Sequence, residues 1–155
     1  MTTDWICKHH SDLGKEQLYA ILKLRCEVFI VEQECAYLDI DGQDLEGDTL
    51  HLMGWQNDQL VAYARLLDPE SHAGDVVIGR VIVAPQARGQ SLGHDLMDQA
   101  LHNIKENWPQ EPVFLSAQAH LQSLYAKHGF NAVGEPYFED NIPHIGMRLN
   151  VDAQG

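Results

Sequence analysis

The chain has 155 residues, of which 45% are hydrophobic and 21% charged, an ordinary balance for a globular protein. Its 23 acidic and 10 basic residues give a formal net charge of −13, which argues against nucleic acid and anionic membranes as partners because both need a basic face. No apolar run approaches the roughly 20 residues of a membrane span. The N-terminal MTTDWICKHH lacks a signal pattern. We therefore expect a cytoplasmic protein with one domain over residues 1–155.

The cysteines and histidines show no pattern typical of metal binding. Cys7, Cys26 and Cys35 are odd in number and fit no paired spacing, so they are predicted to be reduced thiols. The histidines form neither a His-x-x-x-His pair nor a triad with a carboxylate at a ligand spacing. No metal site is predicted.

The first half of the chain favours one strand, a helical region and a hairpin. Residues 4–9 resemble a strand, and a helix is predicted to begin after Asp12 as its cap. An acidic loop follows over residues 39–48, and then the runs LHLMGWQ and LVAYARLL flank a turn at 57–59. The helical face is formed by residues at helical spacing, which are Leu18, Ile21, Leu22, Arg25 and Phe29.

The second half favours strands that alternate with helices. The run DVVIGRVIV predicts a strand that stops at Pro85, and apolar spacing predicts a helix that Trp108 and Pro109 end. A short strand at 112–116 precedes a helix over 118–128, which Gly129 closes. Two strands are predicted to follow, from 130 and over 144–151. This order predicts an α/β sheet covered by helices, with a strand–helix–strand crossover.

The loop between the fourth strand of this order and its helix reads Arg88-Gly89-Gln90-Ser91-Leu92-Gly93. Glycine is ordinary turn punctuation, but free backbone N–H groups at a helix start beside an arginine also suit phosphates. A nucleotide P-loop is excluded because His94 follows the last glycine. A dinucleotide fingerprint is excluded because the loop has only two glycines.

The element order, this loop and the later run LYAKHGF together resemble the GNAT superfamily of N-acetyltransferases. The superfamily signature is Arg/Gln-x-x-Gly-x-Gly/Ala, followed in a later helix by a tyrosine ahead of Gly-Phe. The runs LRCEVFIVEQ, LSAQAHLQSLYAKHGF and EDNIPHIGM are similar to its ElaA-like branch. Two positions depart from the pattern. Ser91, expected in the first helical turn, replaces the middle glycine, and Gln118 stands where asparagine is frequent.

The resemblance implies a fold and a co-substrate. The fold would be a mixed, mostly antiparallel sheet with helices on both faces and a splayed central strand pair, which parts near 81–83 and 115–117. The co-substrate would be acetyl-CoA, with its phosphates at the loop and its pantetheine arm in the strand gap. The implied cofactor-binding residues are Val81, Ile82, Val83, Arg88, Gly89, Gln90, Ser91, Leu92, Gly93 and Gln118.

The resemblance also implies Tyr125 as general acid. A phenol with a reference pKa of about 10 keeps its proton at neutral pH and can donate to a departing thiolate. The general base stays open, because Glu32, His51, His120, Glu139, Asp140 and His144 are all candidates by residue type. His51 is expected to face a polar edge instead. Of the others, the resemblance places Glu32, Glu139 and Asp140 where the superfamily has its acceptor-pocket walls, and His144 is predicted as a possible base or pocket residue with them.

Arg80 is unusual in the middle of an apolar strand, and we expect it at a solvated edge or in an ion pair. Direct transfer to a small-molecule or peptide amine is favoured, because the cysteines lie away from the cofactor motifs in sequence. A monomer and a homodimer are both compatible with the sequence. The alternative function is a non-catalytic acyl-CoA-binding sensor.

Overall fold

The computed structural model describes residues 2–150, in which all seven strands form one sheet. The strand order is β1-β2-β3-β4-β5-β7-β6. The strands are β1 Asp4–His9, β2 Leu50–Gln56, β3 Gln59–Leu67, β4 Val76–Val83, β5 Val113–Gln118, β6 Asn131–Glu139 and β7 Ile142–Leu149. The α-helices are α1 Lys15–Arg25, α2 Leu92–Asn107 and α3 Gln122–Ala126.

Neighbouring strands are antiparallel except for β4 and β5, which run parallel. Helix α2 connects these two parallel strands, as a parallel pair requires a crossover. The predicted strand–helix–strand unit is therefore confirmed. None of the helices within residues 2–150 combines the length and the apolarity that crossing a membrane demands.

Helices cover both faces of the sheet because side chains alternate along each strand. On one face, Leu52 and Ala64 pack in a cluster with apolar residues of α2 and α3. On the other face, Met53 and Tyr63 pack with Ile21 of α1. The mostly antiparallel sheet with helices on both faces is as predicted.

Two predicted helices have wrong boundaries. Asp12 belongs to a separate 3-10 turn, and Gly14 caps α1 instead. The helix expected over 118–128 is only α3, preceded by a 3-10 turn at Ala119–Leu121. Gln118 is extended and pairs with β7, so a tertiary contact lengthens β5 at the expense of the helix. A π-helical segment, Cys26–Glu32, also continues α1. Val151, predicted to end the last strand, lies outside the described residues.

A buried cluster of charges fastens the acidic loop to the sheet. Arg25 is 0% exposed, and its guanidinium donates to the carboxylates of Asp39, at 2.8 Å, and Asp44. Arg65 of β3 donates to Asp44 at 3.0 Å and forms two 2.9 Å bonds with Asp41. Burial alone would raise the pKa of Asp41, but the hydrogen bonds from Arg65 hold it well below its ordinary value.

Arg80 of β4 completes this cluster, which then holds three arginines and three aspartates. Its Nε lies 2.7 Å from a carboxylate oxygen of Asp39, and its Nη2 lies 3.2 Å from Asp41. Of the two environments expected for Arg80, the structure therefore has the ion pair. Equal numbers of opposite charges explain how Arg25, Arg65, Asp39 and Asp44 can be buried, while Arg80 and Asp41 at the edge of the cluster stay partly exposed.

His51 does not face a polar edge, so that expectation is wrong. Its ring is fully buried, with Nδ1 2.6 Å from the Tyr63 hydroxyl and Nε2 2.9 Å from the Asp44 carbonyl oxygen. Burial lowers the pKa of His51 below its ordinary value. His51 therefore joins the buried polar layer beneath the acidic loop.

We predict that Arg25→Met lowers the free energy of unfolding by about 3 kcal/mol or more, because it leaves buried carboxylates without their partner. Lys23→Met is the matched control on the same helix, since the side chain of Lys23 is 68% exposed and its ion pair within residues 2–150 is with Glu27. That control should change stability by no more than about 0.5 kcal/mol. Urea unfolding of the three proteins measures both effects. Equal losses in the two variants would contradict the role given to the buried cluster.

Candidate functional site

The sheet opens between β4 and β5. Within the described chain their ladder has three pairs, of which Ile78 with Leu115 is the last. Beyond it, residues 81–83 of β4 and 116–118 of β5 face each other without pairing, so each strand has main-chain groups available on this side. The splayed central strand pair predicted for the fold is confirmed at this point.

A bulge in β4 accompanies the opening. Gly79 pairs with Arg65 and Ile82 with Tyr63, so β4 has one residue more than β3 over this stretch. Arg80 takes up the extra residue with a left-handed backbone, φ +53°. A bulge bends its strand and increases the local twist, and the ladder between β4 and β5 ends at Ile78, next to this bulge.

The predicted phosphate loop leads from β4 to an uncapped helix start. Gly89 has φ +87°, and a side chain added there would meet no atom within 4 Å. Ser91 is not in the first helical turn as expected but is the N-cap residue, with φ +60° and no capping bond from its side chain. The backbone N–H groups of Leu92, Gly93 and His94 therefore have neither helical acceptors nor a side-chain cap, and the first helical bond runs from the Asp95 N–H to the Ser91 carbonyl. This arrangement fits an anion such as a phosphate.

Arg88 and Glu32 form a bidentate pair beside this loop. The guanidinium donates to the two carboxylate oxygens at 2.6 and 2.8 Å, and its Nε donates to the carbonyl of Val83 at 3.0 Å. The hydrogen bond from Arg88 lowers the pKa of Glu32, which makes Glu32 a weaker base than an ordinary glutamate. Arg88 was predicted to bind the phosphates of the co-substrate and Glu32 to lie on the acceptor side, but in the structure the two side chains are paired with each other.

Tyr125 lies in α3 and is 4% exposed. Its ring packs edge-on against Phe130, with centroids 6.3 Å apart, in the same cluster as Ile78 and Leu115 at the point where the strands part. Its hydroxyl has no hydrogen-bond partner among residues 2–150. The hydroxyl oxygen is not fully buried, so it is accessible to solvent. Burial raises the pKa of Tyr125 to about 12, which keeps the hydroxyl protonated.

The remaining predicted residues lie around the far end of β5. Gln118 pairs in register with His144 of β7, whose Nε2 lies 3.5 Å from a carboxylate oxygen of Glu139. Asp140 is in the turn between β6 and β7, and its carbonyl oxygen lies 3.7 Å from the Cys35 thiol. The structure thus brings the β6–β7 turn next to the segment that follows the π-helix.

Some residues at the site were missed from the sequence, and one predicted residue is engaged elsewhere. The hydroxyls of Ser116 and Tyr137 are hydrogen-bonded to each other beside the parted end of β5. Alternation along LSAQ could have placed Ser116 on the same face as Gln118. Gln90 of the loop accepts a 3.0 Å bond from the Gln56 amide, which ties its side chain to β2.

No cluster of three or more histidine, cysteine or acidic side chains within residues 2–150 is arranged to hold a metal ion. The three cysteines are free. Cys7 is partly buried, and desolvation raises its pKa to about 11, so it is a poor nucleophile.

Comparison with known proteins agrees with this architecture. The sequence matches the family described as Acetyltransferase (GNAT) domain over residues 10–151. It is 54% identical over 148 residues to Protein ElaA of Escherichia coli strain K12, which covers 96% of this chain and 97% of that protein.

Two solved structures are similar over nearly the whole chain. An acyl-CoA N-acyltransferase from Pseudomonas aeruginosa is 59% identical with a TM-score of 0.93, and covers 96% of this chain and 99% of its own. Escherichia coli ElaA is 52% identical with a TM-score of 0.92, and covers 96% and 100%. Fold and parted strands thus define an acyl-CoA N-acyltransferase architecture. The chain belongs to the GNAT family of acetyltransferases, in its ElaA-like branch.

We predict that Ser91→Gly is more stable than Ser91→Ala, with a free energy of unfolding that is higher by about 1 kcal/mol. The left-handed backbone of Ser91 penalises any Cβ, whereas glycine adopts it freely. The control is His102, exposed in the interior of α2, where alanine should be better than glycine by a similar amount. Chemical denaturation of the four variants gives both rankings. The same ranking at both positions would contradict the left-handed cap.

Proposed function

We propose that this chain is an N-acetyltransferase that moves the acetyl group of acetyl-CoA directly to a primary amine, with residues 1–155 as its single domain. The observation that carries the proposal is the β4–β5 gap next to the uncapped start of α2. An extended thiol cofactor with phosphates at one end needs both features. Free main-chain groups along a strand can bind its amide-containing arm, and free N–H groups at a helix start can bind its phosphates.

The residues at this site fit coenzyme A. The open space at Gly89 and the unpaired N–H groups that follow it suit the pyrophosphate. Val81–Val83 and Gln118 are proposed to bind the pantetheine arm from the two sides of the gap. Arg88 is proposed to add a full positive charge near the phosphates, in a protein whose net charge is −13. Acetyl-CoA, when bound, supplies the acetyl thioester.

Tyr125 is proposed to donate its proton to the leaving sulfur. Its hydroxyl is free of protein partners within residues 2–150 and protonated at neutral pH, as this role requires. A backbone N–H of the parted β4 is proposed to polarise the thioester carbonyl. Direct transfer is favoured because the only thiols are Cys7, Cys26 and Cys35, and none of them belongs to the loop or to the parted strand ends.

The acceptor is proposed to be a small-molecule or peptide amine that enters beside the β6–β7 turn. Glu139, the last residue of β6, and Asp140 of this turn are exposed and acidic, which suits a cationic amine. The amine must lose a proton before it can attack. The groups available for this proton are Glu32, Glu139, Asp140 and His144.

We predict that coenzyme A raises the melting temperature, because a ligand that binds only the native state stabilises it. Arg88→Glu should remove most of this shift and make the rest less sensitive to salt, since charge reversal repels phosphate.

Lys23→Glu changes the net charge equally at an exposed site on α1 and should keep the full shift. Glu32→Gln should increase the shift, because it frees Arg88 from its present partner. Thermal unfolding with and without coenzyme A measures all four proteins. A full shift in Arg88→Glu would remove Arg88 from the phosphate site.

We predict that Tyr125→Phe lowers turnover about 10²-fold and leaves coenzyme A binding nearly unchanged, because it removes only the proton donor. The measurement is release of free thiol from acetyl-CoA with a panel of primary amines. Tyr19→Phe, the same change at a residue that is 73% exposed, should turn over like the wild type.

The same assay tests the proposed function itself. Acetylation of at least one amine by the wild type supports the transferase. Binding of coenzyme A without transfer to any amine would favour the acyl-CoA sensor instead. Normal turnover by Tyr125→Phe would remove the tyrosine from its role without removing the activity.

A further inference from the structure

His144 lies one strand away from the gap between β4 and β5. It pairs in register with Gln118, the last residue of β5. Directly opposite residues of an antiparallel pair have Cα atoms about 4.5–5.5 Å apart. The imidazole therefore starts from a backbone position next to the parted end of β5.

The side chain of His144 is on the face of the sheet away from α2 and α3. Along β5 and β7, Leu115, Ala117 and Met147 face the core beneath these helices. Residues 116, 118, 144 and 146 alternate with them and point the other way. On that face the ring of Tyr137 stacks on the His144 imidazole, with centroids 6.0 Å apart. Ser116, hydrogen-bonded to Tyr137, is exposed, whereas the side chain of His144 is only 9% exposed.

One contact determines which nitrogen of His144 carries hydrogen. Nδ1 lies 2.7 Å from the carbonyl oxygen of Ile142. A carbonyl oxygen only accepts, so Nδ1 must be the donor, and in the neutral ring Nε2 has a free lone pair. Nε2 lies 3.5 Å from a carboxylate oxygen of Glu139, which is its ion-pair partner whenever the ring carries a second proton.

The other acceptor-side candidates are less suited to take a proton. Glu32 is held by two hydrogen bonds from Arg88, which lower its pKa. Asp140 and Glu139 are exposed, and the Glu139 carboxylate lies 3.5 Å from Nε2 of His144. His51 is buried between Tyr63 and Asp44. His144 alone among these candidates combines a defined tautomer, a partner for its charged form and a place beside the gap.

We propose that His144 is the general base of the reaction and that Glu139 is its positioning residue, an inference that rests on the proposed transferase function. Nε2 takes one proton from the substrate ammonium, whose nitrogen then attacks the thioester carbon. The C–N bond forms as the C–S bond breaks, and the sulfur takes the Tyr125 proton. The second proton of the nitrogen restores the Tyr125 hydroxyl, and His144 releases its proton to solvent. The products are an amide, a free thiol and one proton.

The test compares two amines that differ in how much they need a base. A lysine side-chain amine has a reference pKa of about 10.4 and a peptide α-amine about 7.7–8.0, so far more of the second is already neutral at pH 7. His144→Asn keeps a donor for the Ile142 carbonyl but removes Nε2. We expect it to lower kcat roughly 10²-fold for Nα-acetyl-lysine and clearly less for a short peptide with a free N-terminus. The KM for acetyl-CoA and the thermal shift by coenzyme A should stay unchanged.

Two further variants make the test specific. His102→Asn makes the same change at an exposed residue of α2 and should leave kcat unchanged. The side chain of Glu139 is 57% exposed, and Glu139→Gln keeps the imidazole of His144. This variant should lower kcat more with Nα-acetyl-lysine than with the peptide, as His144→Asn does, but by a smaller factor. This second variant decides the question if His144→Asn does not fold.

The outcomes separate the inference from the proposed function. Unchanged kcat in His144→Asn, or an equal loss with both amines together with a lower melting temperature, overturns the base assignment and leaves the transferase standing. If His144→Asn does not fold, a normal kcat of Glu139→Gln with both amines overturns the base assignment in the same way. If the wild type acetylates neither amine nor any other in the panel, the transferase fails and the base assignment fails with it.

Discussion

The left-handed backbone of Arg80 is the constraint on which the site depends. A non-glycine residue in this conformation costs about 1–2 kcal/mol, so it needs support from its surroundings. Here the ion pairs of Arg80 with Asp39 and Asp41 supply that support and also bring the acidic loop against β4. The bulge lies next to Ile78, where the ladder between β4 and β5 ends and the opening between the strands begins. One residue thus links the acidic loop, the sheet and the gap.

Local ion pairs, rather than the net charge of −13, determine the surroundings of the charged side chains in this protein. The buried cluster balances three arginines with three aspartates, so the acidic loop can be held close without net repulsion. At the surface, Arg88 is paired with Glu32, which reduces its pull on a distant anion. The start of α2 is a second attraction for phosphate, because no side chain caps its first backbone N–H groups.

The order and type of most elements could be predicted from periodicity and from glycine and proline punctuation. The errors fall where a tertiary contact outweighed the local pattern. Gln118 extends β5 because β7 pairs with it, although the sequence after it is helical. His51 alternates with leucines like an edge residue, yet Tyr63 and the Asp44 carbonyl provide buried partners for both ring nitrogens. Arg25 appeared on the apolar face of its helix, and this was the available signal that a buried counter-charge existed.

The sequence by itself determined the loop Arg88–Gly93, the tyrosine ahead of Gly129 and the resemblance to the family, because these depend on residue type at short spacing. The tertiary structure alone decided which distant groups meet. Arg88 and Glu32 are 56 residues apart in the chain, and Arg80 and Asp39 are 41 apart, so no local rule links them. The place of His144 beside the gap also depends on strand register, which is set by packing of the two sheet faces and not by the residues adjacent to it in the chain.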